Sequence, residues 1–162
     1  MKAPFLFAGI NMAHIDIIIG STLGAAEYVA EHLAEQLQAQ QHSTELHYQP
    51  DLSRLLASRG ADTLWLIVTS THGAGQVPDN LQPFTQDLAK SQPKLHDLHY
   101  AVVALGDSNY DTFCAGGRLV DQLLEQNGAQ KIGDRLEIDV TQHDLPEDAA
   151  DIWFAEWSHN LS

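Results

Sequence analysis

The sequence predicts an α/β domain, a three-layer sandwich in which a five-stranded parallel sheet carries helices on both faces. Two observations indicate this fold. Five short segments rich in β-forming residues alternate with segments whose apolar residues recur at helical spacing. The strand predicted at residues 63–69 is mostly apolar, as is typical of a strand buried on both faces. Alternating strands and helices form right-handed crossovers, so the sheet is expected to be parallel.

The predicted elements follow one another in regular alternation. The predicted strands are residues 14–19, 43–49, 63–69, 98–105 and 136–140. The predicted helices are residues 25–41, 51–58, 78 to about 90, 114–127 and a last helix headed by Asp144. The first helix has an apolar stripe at helical spacing, formed by Tyr28, Val29, His32, Leu33 and Leu37.

Local signals mark several helix ends. Asp79 or Asn80 is the expected N-cap of the third helix, because their side chains accept hydrogen bonds from free backbone N–H groups. Gly128 suits the position just after the fourth helix. Asp144 is followed three residues later by Glu147, which is the spacing of a capping box at the start of the last helix.

One domain accounts for the whole chain, since 162 residues are enough for a single core. Residues 1–11 precede the periodic pattern, so we expect a disordered extension, or an upstream start codon, before a domain at residues 12–162. The single cysteine, Cys114, excludes an intramolecular disulfide and fits a reducing cytoplasm. No apolar run approaches the roughly 20 residues that a membrane span needs.

The charge of the chain excludes some classes of partner. Acidic residues outnumber basic ones 22 to 8, which gives a formal net charge of −14. A nucleic-acid binder needs the opposite sign, and an anionic membrane surface repels such a protein. The same charge suits a protein partner with a basic face, although solubility alone explains it equally well. We expect a monomer or a weak dimer.

Three loops follow predicted strands and therefore meet at the carboxyl edge of the sheet, where open α/β sheets bind ligands. The first loop runs into a helix N-terminus, whose N–H groups and dipole attract anions. It has hydroxyl groups but no basic residue and no GxxxxGK[ST] pattern, which favours a terminal monophosphate over a triphosphate with magnesium. Its candidate binding residues are Ser21, Thr22, Leu23, Gly24, Ala25 and Ala26.

The second and third loops supply the remaining candidates. Tyr110 lies in the middle of a polar loop, where its ring can stack on a flat ligand. Phe113 is expected to anchor that loop to the core, and Cys114 to be structural rather than catalytic. The candidates of the second loop are Ser70, Thr71, His72, Gly73, Ala74 and Gly75. The candidates of the third are Leu105, Gly106, Asp107, Asn109, Tyr110, Phe113 and Cys114.

Together the loops GSTLGAAE, TSTHGAGQVPDN and LGDSNYDTFC, at residues 20–27, 69–80 and 105–114, resemble those of flavodoxin-like FMN domains. The chain is most similar to the short, free-standing MioC-type proteins of bacteria. The resemblance implies a flavodoxin-like sheet in the order 2-1-3-4-5, bound FMN, transfer of one or two electrons and a redox partner. It also implies that FMN phosphate binds at residues 21–26, that the isoalloxazine lies against residues 70–75, and that Tyr110 covers its outer face.

The resemblance also implies partners, a flavodoxin reductase as electron donor and an acceptor enzyme such as biotin synthase. This chain departs from the family pattern at several positions. Leu23 and Ala25 stand where phosphate loops usually carry threonine, and His72 stands where many relatives carry an aromatic residue. Many relatives also carry acidic residues just before the last helix. Here Asp139 and Asp144 lie nearby in the sequence, and neither has a defined place against the ring.

Two other functions compete with an electron carrier. One is a binding or regulatory module of the same fold with weak or no FMN. A phosphoacceptor receiver domain needs an aspartate at the end of strand three, where this chain has Thr69, Ser70 and Thr71. The other is an FMN-dependent quinone reductase, although such enzymes are usually longer and oligomeric. The histidines form no HExxH motif or ligand cluster in the sequence, so no metal site is predicted.

Overall fold

A computed structural model describes residues 12–21 and 24–161, so the predicted extension at residues 1–11 lies outside the described residues, as do Thr22 and Leu23. The strands are β1 (His14–Gly20), β2 (Ser43–His47), β3 (Thr63–Thr69), β4 (His99–Gly106), β5 (Gln130–Lys131) and β6 (Leu136–Asp139). The helices are α1 (Ala25–Ala39), α2 (Leu52–Ser58), α3 (Gln82–Ser91), α4 (Ala115–Gln126) and α5 (Pro146–Trp157). Short 3₁₀ helices are formed by Asp79–Leu81 and Ser158–Leu161.

The sheet is parallel and has the order β2-β1-β3-β4-β5, which confirms the predicted fold and strand order. The fifth strand position is split between two short strands, because β6 also pairs with β4. Between them Ile132 turns into the core and Gly133 takes a positive φ of 74°. The chain thus leaves the sheet after β5 and rejoins it at β6. The sequence predicted only the second of these strands, at residues 136–140.

Two hydrophobic cores cover the two faces of the sheet. The first packs alternate residues of β1, including Ile15 and Ile17, against α1 and α5. The second packs Trp65 and Ile67 of β3 against α2, α3 and α4. All seven residues of β3 are buried, which confirms that its apolar run marks a strand enclosed on both faces. Among the described residues, no helix is long and apolar enough to cross a membrane.

The local signals at helix ends had mixed success. Gly128 has a φ of 95°, its N–H donates to Glu125 O, and the Ala129 N–H donates to Leu124 O, which confirms it as a helix-ending glycine. The capping box at Asp144 is wrong, because α5 begins at Pro146 with Leu145 at the N-cap position. A proline favours the first helical position and forces the residue before it into an extended conformation.

The predicted cap of the third helix is also wrong. Residues 79–81 form a 3₁₀ turn, and α3 begins after it with Leu81 at the N-cap position and no side-chain cap. Asn80 uses its amide elsewhere, in contacts that belong to the ligand-binding edge. Two predicted ends extended too far, since α1 ends at Ala39 and β2 ends at His47, the last residue of β2 that pairs with β1.

The packing of α4 on the sheet gives a stability prediction. A Cβ atom at Gly117 would lie 2.3 Å from Ala104 Cβ and 3.1 Å from Ala104 Cα, so α4 must move away from β4 to accept one. We expect Gly117→Ala to lower the free energy of unfolding by about 1–3 kcal/mol, measured by urea denaturation. Gly60→Ala is the matched control, because its Cβ would meet only side-chain atoms at ordinary distances. Equal effects of the two substitutions would contradict this close contact.

Candidate functional site

The ends of β1, β3 and β4 bring the three predicted loops to one edge of the sheet. Gly20 pairs with Thr69 across β1 and β3, and Thr69 pairs with Ala104 across β3 and β4. The chain moves outward from β1 to β2 on one side and to β3 on the other, which makes this edge the topological switch point of the sheet. Such a crevice is where a ligand of an open α/β sheet binds.

Asn80 fixes the first loop in place. Its Oδ1 accepts the Ser21 N–H at 3.0 Å, and its Nδ2 donates to Ile19 O at 2.7 Å and to Tyr48 O at 2.9 Å. One side chain therefore joins the end of β1, the chain after β2 and the loop after β3. The sequence showed Asn80 only as a possible helix cap, because its three partners lie at least 32 residues away.

The start of α1 presents backbone N–H groups in an arrangement that suits an anion. Gly24 has a φ of 94°, and its N–H donates to Ser21 Oγ at 2.9 Å, so this N–H is already occupied. In contrast, the N–H groups of Ala25, Ala26 and Glu27 have no acceptor among the described residues. Free N–H groups at the positive end of a helix attract a phosphate. Of the three N–H groups predicted to bind phosphate, that of Gly24 is therefore occupied, while those of Ala25 and Ala26 are joined by that of Glu27. Binding of phosphate there stays a prediction.

The second loop is a tight turn. The His72 N–H donates to Gln76 O at 2.7 Å, and His72 O accepts the Gly75 N–H at 3.1 Å. Gly73 and Gly75 have φ values of 50° and 104°, a region that glycine occupies at low steric cost. A Cβ at Gly75 would also lie 3.2 Å from the Thr112 side chain, which places the second loop directly against the third.

Thr71 joins the second and third loops. Its Oγ1 donates to Leu105 O at 3.3 Å and accepts the Gly116 N–H at 3.1 Å. Gly116 belongs to the first turn of α4, and a Cβ there would lie 2.7 Å from Ser70 O. The second loop, the end of β4 and the start of α4 thus form one closely packed unit.

Asp139, at the end of β6, holds the third loop. Its Oδ1 accepts the Ser108 N–H at 3.3 Å and the Thr141 N–H at 3.0 Å, and the Thr141 hydroxyl donates to it at 2.7 Å. Hydrogen bonds from the Ser108 side chain and then from Thr141 lower the pKa of Asp139 to about 2. The Val140 N–H also donates to Gly106 O at 2.9 Å. The position of Asp139 relative to the ring could not be predicted from the sequence, and the structure makes it a support of the third loop.

Two adjoining cavities lie between these loops and share Thr71, Gly106 and Asp107 in their walls. The larger cavity has a volume of about 300 Å³ and is also lined by Gly73, Tyr110 and Thr112. The smaller has a volume of about 190 Å³ and is also lined by Ala25, Ser70, Leu105 and Val140. All three predicted loops therefore contribute to one concave site, and Thr112 and Val140 are lining residues that the sequence analysis did not name.

Other predicted candidates lie behind or beside this site. Cys114 is fully buried, its Sγ donates to Ala104 O at 3.5 Å, and burial raises the pKa of its thiol to about 12. Phe113 packs on the second core, as predicted, and the Arg118 guanidinium lies 5.8 Å from its ring centroid. Several other candidates do not line the two cavities, and their contact with a ligand stays a prediction: Ser21, Gly24, Ala26, His72, Ala74, Gly75 and Asn109.

Comparison with known proteins decides the family. The flavodoxin family matches residues 17–153, a range that contains all three loops. This chain is a member of the flavodoxin family. It is 44% identical to the protein MioC of Escherichia coli over 150 residues, which are 93% of this chain and 99% of that protein. It is 47% identical to the MioC homologue of Haemophilus influenzae over 148 residues, which are 91% of this chain and 99% of the homologue.

A solved structure shows the same architecture. A mutant of the flavodoxin from Pseudomonas aeruginosa matches with a TM-score of 0.83 and 36% sequence identity, covering 91% of this chain and 98% of that one. Flavodoxin-family membership and these MioC relatives confirm the predicted resemblance. The cofactor of the flavodoxin family is FMN, and the prediction of this cofactor is confirmed at that level.

The described residues fit FMN. The N–H groups of Ala25, Ala26 and Glu27, which have no acceptor among the described residues, suit its terminal phosphate, and the two adjoining cavities provide a path away from them. Tyr110 lies at the far end of that path with 65% of its surface exposed, so its ring is available to cover a flat ligand. Among the described residues, therefore, the donors at the start of α1 are uncharged and the exposed Tyr110 ring lies beside the larger cavity.

The charge state of Asp139 should control the third loop. Its pKa of about 2 lies below the usual 3.8, so the charged form stabilises the folded loop above about pH 4 and this contribution is lost as the pH falls towards 2. We expect the amide NMR signals of Ser108 and Thr141 to shift with a midpoint of about 2. Asp139→Asn should abolish this transition, and a midpoint at the usual value would contradict these hydrogen bonds.

Proposed function

We propose that this protein carries electrons through FMN bound at the carboxyl edge of its sheet. A flavodoxin reductase is the proposed donor and an acceptor enzyme, with biotin synthase as the candidate, is the proposed receiver. The observation that carries the proposal is the pair of adjoining cavities at the free N–H groups of α1. The named acceptor rests on the resemblance to MioC-type proteins. The proposal places the protein in the cytoplasm as a monomer or weak dimer.

Bound FMN would supply the redox chemistry, and the residues of this chain would hold and orient it. The first N–H groups of α1 would bind the phosphate, with Ser21 Oγ as a further donor. Asp139 would act from behind by holding the third loop, and Thr71, which lines both cavities, would also join the second loop to the third. Because Tyr110 is exposed at the mouth of the site, its ring would separate one face of the isoalloxazine from water.

The lining of the site favours a carrier over an enzyme with its own substrate. In the described cavity walls the ionisable side chains are Asp107 and Tyr110, and neither hydrogen-bonds to a second ionisable side chain. Asp107 instead accepts the Asn109 N–H of its own loop at 2.8 Å. General acid–base catalysis needs positioned groups that exchange a proton with the substrate, and these residues do not form such a pair.

The position of the phosphate can be tested by ligand comparison. Riboflavin lacks the phosphate that the α1 N–H groups would bind, so we expect it to bind at least about tenfold more weakly than FMN, a difference of roughly 1.4 kcal/mol.

Tyr110→Ala should also weaken FMN binding and change the absorption spectrum of the flavin, because it removes a stacking contact of about 1 kcal/mol. Fluorescence titration measures both affinities.

Tyr110→Phe is the matched control, because it keeps the aromatic ring and removes only the hydroxyl group. It should bind FMN with nearly the affinity of the unmodified chain. Equal affinities for FMN and riboflavin would remove the phosphate from the start of α1. An unchanged affinity and spectrum in Tyr110→Ala would show that another residue stacks on the flavin.

The function itself is tested by electron transfer with salt as the variable. The FMN-loaded protein should be reduced by NADPH only when a flavodoxin reductase is added. Because the net charge is −14, we expect the reduction rate at low protein concentration to fall by about tenfold between 10 and 150 mM salt, since screening weakens attraction to a basic face.

Photochemical reduction of the same protein is the control, because it needs no charged protein partner and should not follow this salt dependence. Three results would contradict the proposal. The first is a colourless protein that binds no FMN, as expected of a regulatory module. The second is rapid NAD(P)H oxidation without a reductase, as expected of a quinone reductase. The third is a reductase-dependent rate of reduction that salt leaves unchanged.

A further inference from the structure

A cluster of histidine and carboxylate side chains lies on β1 and β2, away from the flavin edge. In the sheet register Asp16 pairs with Glu45, while His14 and His47 lie two residues before and after this pair on their own strands. Alternate residues of a strand project from the same face, so all four side chains project from one face of the sheet. This is the face of the second core, and the cluster lies towards the amino end of β1.

The ligand atoms of this cluster are close together. His14 Nε2 lies 3.1 Å from Asp16 Oδ1, and the ligand atoms of His14, Asp16 and Glu45 all lie within 4.8 Å of one another. In a tetrahedral zinc site with bonds of about 2.0–2.2 Å, ligand atoms lie about 3.3–3.6 Å apart. The Glu45 side chain is 54% exposed, so it is free to rotate by the small distance that a bound ion requires.

Asp16 is the buried member, with 1% of its surface exposed. Its Oδ1 faces both histidines, and its Oδ2 is buried without a hydrogen-bond partner among the described residues. A buried carboxylate oxygen without a donor costs free energy, and a cation bound by the same carboxylate would reduce that cost. Within the described part of the chain, the basic side chains in contact with Asp16 are the imidazoles of His14 and His47, so no lysine or arginine takes the place of that cation.

Polar contacts hold both histidines in place, and the contacts of His14 are those of a typical metal ligand. His14 Nδ1 lies 2.8 Å from Ser43 Oγ, and when this nitrogen carries the proton, the lone pair of Nε2 is available to a cation bound beside Asp16. Histidine ligands commonly place their second ring nitrogen against such a polar partner, which fixes the ring. His47 Nε2 lies 2.9 Å from Asp16 Oδ1 and donates to it, which orients the carboxylate.

We propose that His14, Asp16 and Glu45 bind one divalent transition-metal ion of the zinc class, with His47 as a positioning residue. Imidazole nitrogens and carboxylate oxygens suit zinc and its neighbours in the first transition row. His14 is 33% exposed and Glu45 is 54% exposed, so the site opens to solvent, whereas Asp16 forms its base. The sequence alone predicted no metal site, because the ligands come from two strands and form no short motif.

The test is calorimetric titration of the FMN-loaded protein with Zn²⁺ after treatment with EDTA and dialysis. We expect binding of one Zn²⁺ per chain. His14→Gln and Glu45→Gln should each weaken this binding by about tenfold or more, and His47→Gln by about tenfold, as is usual for loss of a group that orients a ligand. The three side chains are partly exposed, and glutamine keeps an N–H donor for Asp16 in place of each imidazole, so the fold should be kept.

Matched controls separate this site from weak binding at other surface groups. His159→Gln and Glu35→Gln remove an exposed imidazole and an exposed carboxylate elsewhere, and should leave the affinity for Zn²⁺ unchanged. Anomalous diffraction at the zinc edge should place one ion between His14 and Glu45. Binding that all five variants share equally, or an anomalous peak elsewhere, would overturn the proposal.

A buried water shared between Asp16 and Trp65 is the competing explanation. Trp65 pairs with Asp16 across β1 and β3, and its Nε1 is also buried without a partner among the described residues. A water bonded to both atoms would satisfy them and would give no stoichiometric uptake of zinc. The absence of one-to-one binding at micromolar Zn²⁺ would therefore favour water and overturn the metal site. The result does not depend on electron transfer, so it stands apart from the proposed function.

Discussion

The burial of β3 on both faces is the constraint on which the rest of the structure depends. All seven of its residues are buried, and Thr69 at its end is fully enclosed. At that end β1 and β3 approach so closely that a Cβ at Gly20 would lie 2.2 Å from Thr69 Oγ1. The Ser70 N–H also donates to Gly20 O at 2.9 Å. Two loops therefore begin at the same level of the sheet, and the position of the ligand crevice follows from the packing of the core.

This dependence explains why so much of the site could be predicted from the sequence. The apolar run of β3 gives a buried parallel strand, and parallel strands with right-handed crossovers must bring their following loops to one edge. Glycines and hydroxyl groups after those strands then indicate a ligand. Signals that act within a few residues could also be predicted. At the end of α4 the Gly128 N–H donates to Glu125 O, three residues before it, and the Ala129 N–H donates to Leu124 O, five residues before it.

The parts that could not be predicted depend on partners distant in sequence. Asparagine is a residue type that often caps helices, but the Asn80 amide hydrogen-bonds to three segments that only the folded sheet brings together. Asp139 reaches 31 residues back to Ser108. At the start of α5 two local rules conflicted, and the conformational restriction at Pro146 prevailed over the capping box of Asp144. A hydrogen-bonding side chain shows its chemistry in the sequence, but its partner is set by topology.

The cluster on β1 and β2 follows from the shape of the same sheet. β2 is the edge strand, so Glu45 remains exposed while Asp16 on the neighbouring strand is enclosed. A polar group persists in such a place only with partners, which here are imidazoles. Asp16 precedes Gly20 by four residues, or roughly 13 Å along the strand. Because the residues of β1 between these points are buried, the proposed metal cluster and the flavin edge lie at opposite ends of the strand and are spatially distinct.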